Sequence, residues 1–306
     1  MNYEFKYHKS LEHLHVNCEK PRAYFVPHSS ENGAVGGNRA ESDRFISLCG
    51  DWDFRFYPNE TYVDDFTSTD FTTEGFDKLT VPMSWQINYK KGYDTPNYTN
   101  VNYPFTVEAP CVPNDNPCGL YVRTVKLSEK DLDGKEMYIN FEGVDSCFYL
   151  YVNDEFAAYS QVSHMTTEVN VTKYLKAGEN SFKVLVFKWC DGSYLEDQDK
   201  FRFSGIFREV YLLAREKVHV SDIFVKTFIN PSYTQSDLTV DLELTGSGYV
   251  EASLTDPKGT MLGTVKKNID GSGTVEFIVA APALWSDETP DLYTLVIKCG
   301  EEYCNT

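Results

Sequence analysis

The sequence predicts an all-β chain of two domains, and three observations carry that reading. Period-two alternation recurs at short intervals between explicit turn signals, helical periodicity is hard to find, and aromatics reach 15% with 21 Tyr and 20 Phe. A chain of 306 residues ordinarily makes one large or two ordinary domains. Residues 1–45, with Ser29-Ser30-Glu31-Asn32-Gly33 and Gly36-Gly37, show little strand pattern and read as an extended N-terminal arm lying on a neighbouring surface. Residues 46–216 hold candidate strands at 52–57, 120–126, 136–141, 148–152, 155–159, 181–187 and 209–214. Asn153-Asp154 reads as the tight turn of a hairpin, and Lys176-Ala177-Gly178-Glu179-Asn180 as the turn before another strand. Such a meander closes as a sandwich or jelly roll. Near Arg215-Glu216-Lys217 the texture changes to shorter, Thr/Ser/Gly-rich candidates at 221–228, 238–245, 249–255, 274–279 and 293–298. About seven short strands over residues 217–306 suit an immunoglobulin-like sandwich.

Composition removes several classes of partner. A net charge of −18 argues against nucleic acid and against anionic membrane surfaces, since both reward an excess of Lys and Arg. The opening M-N-Y-E-F-K-Y-H-K-S has no apolar core of a signal peptide, and no apolar run is long enough to span a bilayer, so a cytoplasmic location is expected. Eight cysteines form no CxxC pair and no framework spacing, which favours reduced thiols. The six histidines make no metal-binding pattern. Trp52, Trp85, Trp189 and Trp285 could stack on sugars, but tryptophans flanked by strand pattern ordinarily belong to a core or an interface.

The chemistry concentrates in D-G-S-Y-L-E-D-Q-D-K-F-R-F-S-G-I-F-R-E-V, residues 191–210. Asp191, Glu196, Asp197 and Asp199 fall among Tyr194, Leu195, Phe201, Phe203, Ile206 and Phe207. A loop this apolar exposes a patch unless it buries something. Carboxylates carried inward need partners, and Arg202 and Arg208 are the nearest in sequence. A carboxylate left without an arginine suits a cation or a sugar hydroxyl.

Several segments together carry a family resemblance. L-C-G-D-W-D-F at 48–54, V-P-M-S-W-Q at 81–86, Y-D-T-P-N-Y-T-N-V-N-Y-P-F at 93–105, V-P-N-D-N-P-C-G-L-Y at 112–121 and F-E-G-V-D-S-C-F-Y-L-Y-V-N at 141–153 are joined by the acidic stretch and by A-L-W-S-D-E-T-P-D-L-Y-T-L at 283–295. They resemble the N-terminal region of family-two glycoside hydrolases, and Y-T-N-V-N-Y-P with the acidic stretch resembles the large cytosolic β-galactosidases among them. The resemblance implies a galactose-binding-like jelly roll followed by an immunoglobulin-like sandwich. It also implies a retaining hydrolase of terminal β-D-galactosides such as lactose, whose two catalytic glutamates belong to a (β/α)₈ barrel outside this chain. The sequence thus reads as an N-terminal, non-catalytic portion, inactive alone.

By the same resemblance, Asp199 reaches into the galactose subsite and helps to hold a sodium ion with barrel groups, while Asn100 hydrogen-bonds the sugar ring. Asp191 and Gln161 match positions that can help bind a second divalent ion in the family. That site also draws on an Asp-Trp-Glu-Asn-Pro opening, where this chain has His8-Lys9-Ser10-Leu11-Glu12, which argues against the second ion. Magnesium is expected of the full-length enzyme. Glu196 and Asp197 are expected to pair with arginines or cap the loop, and Arg202 and Arg208 to brace it. The partners implied are a β-galactoside, the chain's own catalytic barrel and, as often in such enzymes, further copies in a homo-oligomer. Two alternatives stand beside this: a free-standing carbohydrate-binding module, and the same region of a β-glucuronidase or β-mannosidase. A glucuronide, however, needs a cationic partner for its carboxylate, and an acidic loop would repel it.

Overall fold

The computed structural model describes residues 6–98, 100, 102–196 and 199–306. The chain is all-β and divides into two compact units. The first comprises residues to Pro21, Ser47–Asp133 and Met137–Leu212; the second comprises Arg22–Ile46, Gly134–Glu136 and Leu213–Thr306.

The first unit is a jelly-roll sandwich built on a seven-stranded antiparallel sheet. Its order is His15–Val16, Glu155–Gln161, Cys147–Val152, Gly178–Phe187, Cys118–Leu127, Gly50–Tyr57 and Asp77–Val81. A second sheet runs Thr167–Asn170, Lys135–Phe141, Val210–Glu216 and Phe45–Ser47. The Phe141 and Phe148 rings, 4.7 Å apart, join the two sheets. All six residues of Cys147–Val152 are buried, because the large sheet is covered on both faces. A strand buried on both sides loses the alternation of a half-solvated one and becomes a continuous apolar run.

On the large sheet's other face lie Tyr57, Phe66, Tyr149, Tyr151, Tyr159 and Phe187, closed partly by Tyr7 and Val16. His8 plugs this layer: it is fully buried and stacks on Phe187 at 4.3 Å, with Nδ1 2.9 Å from Tyr149 Oη and Nε2 3.2 Å from Glu60 Oε2. Lys9 reaches the same carboxylate at 2.7 Å. His15–Val16 pairs with Ser160 and Tyr159 and so takes the sheet's edge. The hairpin at Asn153-Asp154 has φ of 50° and 70° at the two residues. Positive φ at both centres is what a two-residue turn matched to strand twist requires, and Asn and Asp tolerate it. Asn153 also accepts from Ser181 N at 2.9 Å and donates to Tyr174 O at 2.8 Å, so the turn is bonded to its neighbours.

The second unit is an immunoglobulin-like sandwich, but its strands are longer than the sequence predicts. The candidates at 238–245 and 249–255 belong to one ladder, Gln235–Thr255, which pairs along Met261–Ala280 with a register shift between Glu243 and Ser247. Its first half also pairs with Val220–Ile229 and its second half with Thr294–Cys299. Thr245-Gly246-Ser247-Gly248 lies between those two candidates, yet the strand runs through it, with the register shift falling there. Gly248 has no room for more, since a Cβ there would meet Cys299 Sγ at 3.1 Å. Val240, Leu242, Val250, Ala252, Leu254 and Ile297 fill its core.

Of the first 45 residues, those from Arg22 belong to this second unit, and they include a short helix, Glu31–Gly36, capped by Ser30 and ended by Gly37 at φ 66°. Arg44 is buried, and its guanidinium donates to Glu302, Glu216 and the Ala214 carbonyl. Arg215 donates to both Glu302 oxygens, and the Glu216 amide adds a bond of 2.6 Å. Glu302 is only 1% exposed, so these donors are what make an ionised carboxylate tolerable there.

Two predictions follow from these contacts. E302A leaves Arg44 and Arg215 buried without their shared anion and should cost about 3–5 kcal/mol, read as a lower urea midpoint for the second unit. Burial raises the Glu60 carboxyl, but hydrogen bonds from His8 and Lys9 outweigh it and hold the group down at about 2. Because the folded value is depressed, the stabilisation is complete above the ordinary 4.5 and is lost as pH falls towards about 2. The urea midpoint of the native chain should therefore exceed that of E60Q at pH 7, with the gap closing by about pH 2; a gap independent of pH would refute this assignment.

Candidate functional site

The central strand Gly178–Phe187 ends at Lys188, whose side chain is only 4% exposed. Its ammonium is held by the Asp94 carboxylate, by Asn97 Oδ1 at 2.7 Å and by the Thr95 carbonyl at 3.5 Å. Burial lowers the Lys188 pKa, against the opposing hydrogen bond and charge of Asp94. Gln86, also buried, donates to Asp94 Oδ2 and Ser204 Oγ at 3.1 Å each and accepts from Ser204 N at 2.9 Å. Trp85 N and Met83 N donate to the carbonyls of Ser204 and Ile206. Two loops are thereby laid side by side, and Asn97–Tyr98 pairs antiparallel with Phe201–Arg202.

This pairing brings Asn100 and Asp199 together although they are 99 positions apart. Asn100 Nδ2 lies 3.4 Å from Asp199 Oδ1 and 3.3 Å from Tyr98 Oη, and Tyr98 Oη donates to the same Asp199 oxygen. All three residues are exposed. The hydrogen bond to Asp199 raises the Tyr98 phenol, with smaller contributions from desolvation and from the Asp199 charge. Around the trio the apolar side chains stay in water: Tyr98 is 53% exposed, Phe201 51% and Leu195 88%. The burial that so apolar a loop calls for is therefore incomplete within the described residues.

The other carboxylates separate by partner. Glu196 accepts from Ser163 N at 3.0 Å and from Ser163 Oγ at 3.1 Å, so it caps the turn at Ser163. Arg202 closes the loop on itself by donating to the Glu196 carbonyl, and Arg208 donates to the His164 carbonyl at 3.3 Å. Both arginines brace. Asp197 lies outside the described residues. Asp191 is buried, which raises its pKa; Oδ2 sits 3.5 Å from Gln161 Nε2 and Oδ1 has no hydrogen-bond partner. Gln161 is engaged with the His13 carbonyl and the Gly192 amide. Among the described residues, no group of three or more His, Cys, Asp or Glu could hold a metal ion.

Sequence reasoning missed Asp145, which burial pushes up to about 6 beside Lys200 at 3.8 Å. It stands in F-E-G-V-D-S-C, where only burial distinguishes it from an ordinary loop aspartate. Tyr98, Gln86 and Lys188 were also missed, since nothing local marks them. Trp52, Trp85 and Trp189 are buried, and Trp285 is 63% exposed. Among the described residues no helix is long and apolar enough to cross a membrane.

Comparison with known proteins agrees with this architecture. Residues 45–216 match the family model described as glycosyl hydrolases family 2, sugar binding domain, and residues 218–303 match that of glycosyl hydrolases family 2. A beta-galactosidase of Actinobacillus pleuropneumoniae is 44% identical over 291 residues, covering 94% of this chain and 28% of that protein. A beta-galactosidase of Staphylococcus xylosus is 38% identical over 300 residues, covering 97% and 29%. The chain thus spans under a third of the length of these curated relatives. Among solved structures, a Bifidobacterium dentium beta-glucuronidase complexed with coumarin-3-O-glucuronide superposes with a TM-score of 0.65 at 17% identity, over 83% of this chain and 45% of that one. Bacteroides uniformis beta-glucuronidase 2, covalently bound to cyclophellitol-6-carboxylate aziridine, gives 0.65 at 20%, over 86% and 31%. At such identities the likeness is one of fold.

The clasp of Arg202 on the Glu196 carbonyl predicts a protease phenotype. Losing one charge-assisted hydrogen bond, about 1.5 kcal/mol, should raise the open population of the loop roughly tenfold. Trypsin should then cleave R202A after Lys200 about tenfold faster than the native chain, as read by mass spectrometry; equal rates would refute the clasp.

Proposed function

Because the chain belongs to family 2 of the glycosyl hydrolases, we propose that it is the N-terminal, non-catalytic portion of a retaining β-galactosidase and supplies part of the galactose subsite through Asn100 and Asp199. The observation that carries this reading is the convergence of these two side chains at one exposed tip, in a chain 44% identical to a beta-galactosidase. Their chemistry suits a sugar. An ionised aspartate offers only acceptors, for hydroxyls or a hard cation, and an amide offers donors and an acceptor. The half-exposed Tyr98 and Phe201 beside them suit a surface completed by a further part of the protein.

The reaction itself needs two carboxyl groups about 5–5.5 Å apart across the scissile bond, one as nucleophile and one as acid/base. In this reading both lie outside the chain, in a catalytic barrel, and this chain's task is to orient the sugar. A sodium ion would draw on the exposed Asp199 carboxylate together with groups of that barrel, and would balance charge where sugar hydroxyls gather. Magnesium in the full enzyme would take its ligands chiefly from outside this chain, since Gln161 is already engaged and, among the described residues, no group of three or more His, Cys, Asp or Glu could hold a metal ion. An acceptor carboxylate at the subsite disfavours a glucuronide, whose own carboxylate it would repel.

The test joins this chain to the remainder of the Actinobacillus pleuropneumoniae relative in place of the matching 291 residues. The chimera should hydrolyse a chromogenic β-galactoside in preference to a β-glucuronide, and the 306-residue chain alone should hydrolyse neither. D199N in the chimera should lower kcat/KM by about ten- to a hundredfold, the value of a hydrogen bond to a charged group. Turnover by the chain alone, or a preference for the glucuronide, would overturn the reading. Tight binding of galactose by the chain alone would favour a free-standing sugar-binding module.

A further inference from the structure

We propose that Tyr98 is a positioning residue of the galactoside subsite, whose phenol fixes the Asp199 carboxylate and the Asn100 amide in one arrangement before a sugar arrives. The inference rests on the subsite reading above and adds to it a residue that neither sequence reasoning nor family matching singles out.

The geometry of the trio is a closed triangle. A phenol has one proton to donate and lone pairs to accept with, and Tyr98 uses both: it donates to Asp199 Oδ1 and accepts from Asn100 Nδ2 at 3.3 Å, while Asn100 Nδ2 also lies 3.4 Å from the same Asp199 oxygen. No other side chain is bonded to both predicted ligand residues among the described contacts. Asp199, through its hydrogen bond and its charge, keeps the phenol proton in place, so Tyr98 stays a donor at neutral pH.

The phenol can impose an orientation because its own ring is held. Tyr98 faces Phe201 across the two-residue ladder, with ring centroids 5.3 Å apart, and Phe203 packs on Phe201 at 5.8 Å. Next to it in sequence, Asn97 is bonded to the buried Lys188 ammonium. Asn100 and Asp199 are themselves exposed. Ordering an exposed, rotamer-rich side chain on binding costs about 0.5–1.5 kcal/mol, and a partner that orders it beforehand removes that cost from the binding step.

The test uses Y98F, which keeps the ring and deletes the hydroxyl. In the 306-residue chain, ¹⁵N relaxation of the Asn100 side-chain amide should show the order parameter falling to below about 0.6 in Y98F. An unchanged value would overturn the proposal without touching the subsite reading. In the chimera, Y98F should raise KM for a β-galactoside about tenfold with kcat little changed, as expected for losing one hydrogen bond to a charged group. The decisive measurement is a double-mutant cycle: Y98F/D199N should lose clearly less than the sum of the two single losses, because much of what Tyr98 does runs through Asp199. Additive losses would mean that Tyr98 acts independently, which overturns the proposal. A fall in D199N with none in Y98F would remove Tyr98 and leave the subsite standing. If D199N changes nothing, the subsite reading fails and takes the role of Tyr98 with it.

Discussion

The buried ammonium of Lys188 is the point from which the site hangs. A charge that deep must find acceptors, and the nearest are on the loop from Asp94 to Asn97. Lys188 follows directly on Gly178–Phe187, which pairs along its length with Cys118–Leu127 and, over its second half, with Cys147–Val152. A strand paired on both sides therefore fixes the root of a loop that carries the exposed Tyr98 and Asn100. Gln86 repeats the device on the partner loop through Ser204. Between these two anchors, the short ladder of Asn97–Tyr98 with Phe201–Arg202 has only to span a few residues.

Burial separates the carboxylates that hold the fold from the one that faces outward. Glu302 is enclosed and receives two arginines and an amide, so both of its oxygens are used. Glu60 has His8 and Lys9, and Glu196 has both donors of Ser163. At Asp199, by contrast, both described donors converge on Oδ1, and the residue is exposed. A carboxylate arranged in that way is oriented but not consumed by the protein.

Much of this was legible in the sequence, and the rest was hidden for physical reasons. The hairpin at Asn153-Asp154 could be read because the backbone there demands positive φ, and residue type reports that demand locally. The strand centres were visible from apolar spacing, although Cys147–Val152 has no alternation because both its faces are covered. Gln235–Thr255 shows the limit of turn chemistry: glycine marks a place where the chain can bend, and cannot say whether the ladder continues through it. At the candidate site, the resemblance pointed to Asn100 and Asp199 but not to Tyr98, which meets Asp199 only through a contact about a hundred residues away in sequence. Of the two expectations for Glu196, pairing with an arginine or capping, folding realises the capping one, through Ser163, which lies 33 residues away in sequence.

The two residues His15–Val16 have an effect out of proportion to their length. Without them, Glu155–Gln161 would border the large sheet and offer a long row of unpaired backbone groups to any passing strand. With them, that border is paired at Tyr159 and Ser160, and the covering segment ends at Asn17, where φ of 58° turns the chain off the sheet and the side chain bonds back to the Ala157 carbonyl. An incoming strand finds that template interrupted, by the paired residues and by the irregularity between Phe156 and Ala158. In a molecule built on sheets, this small segment interrupts the row of backbone groups that another strand could otherwise join.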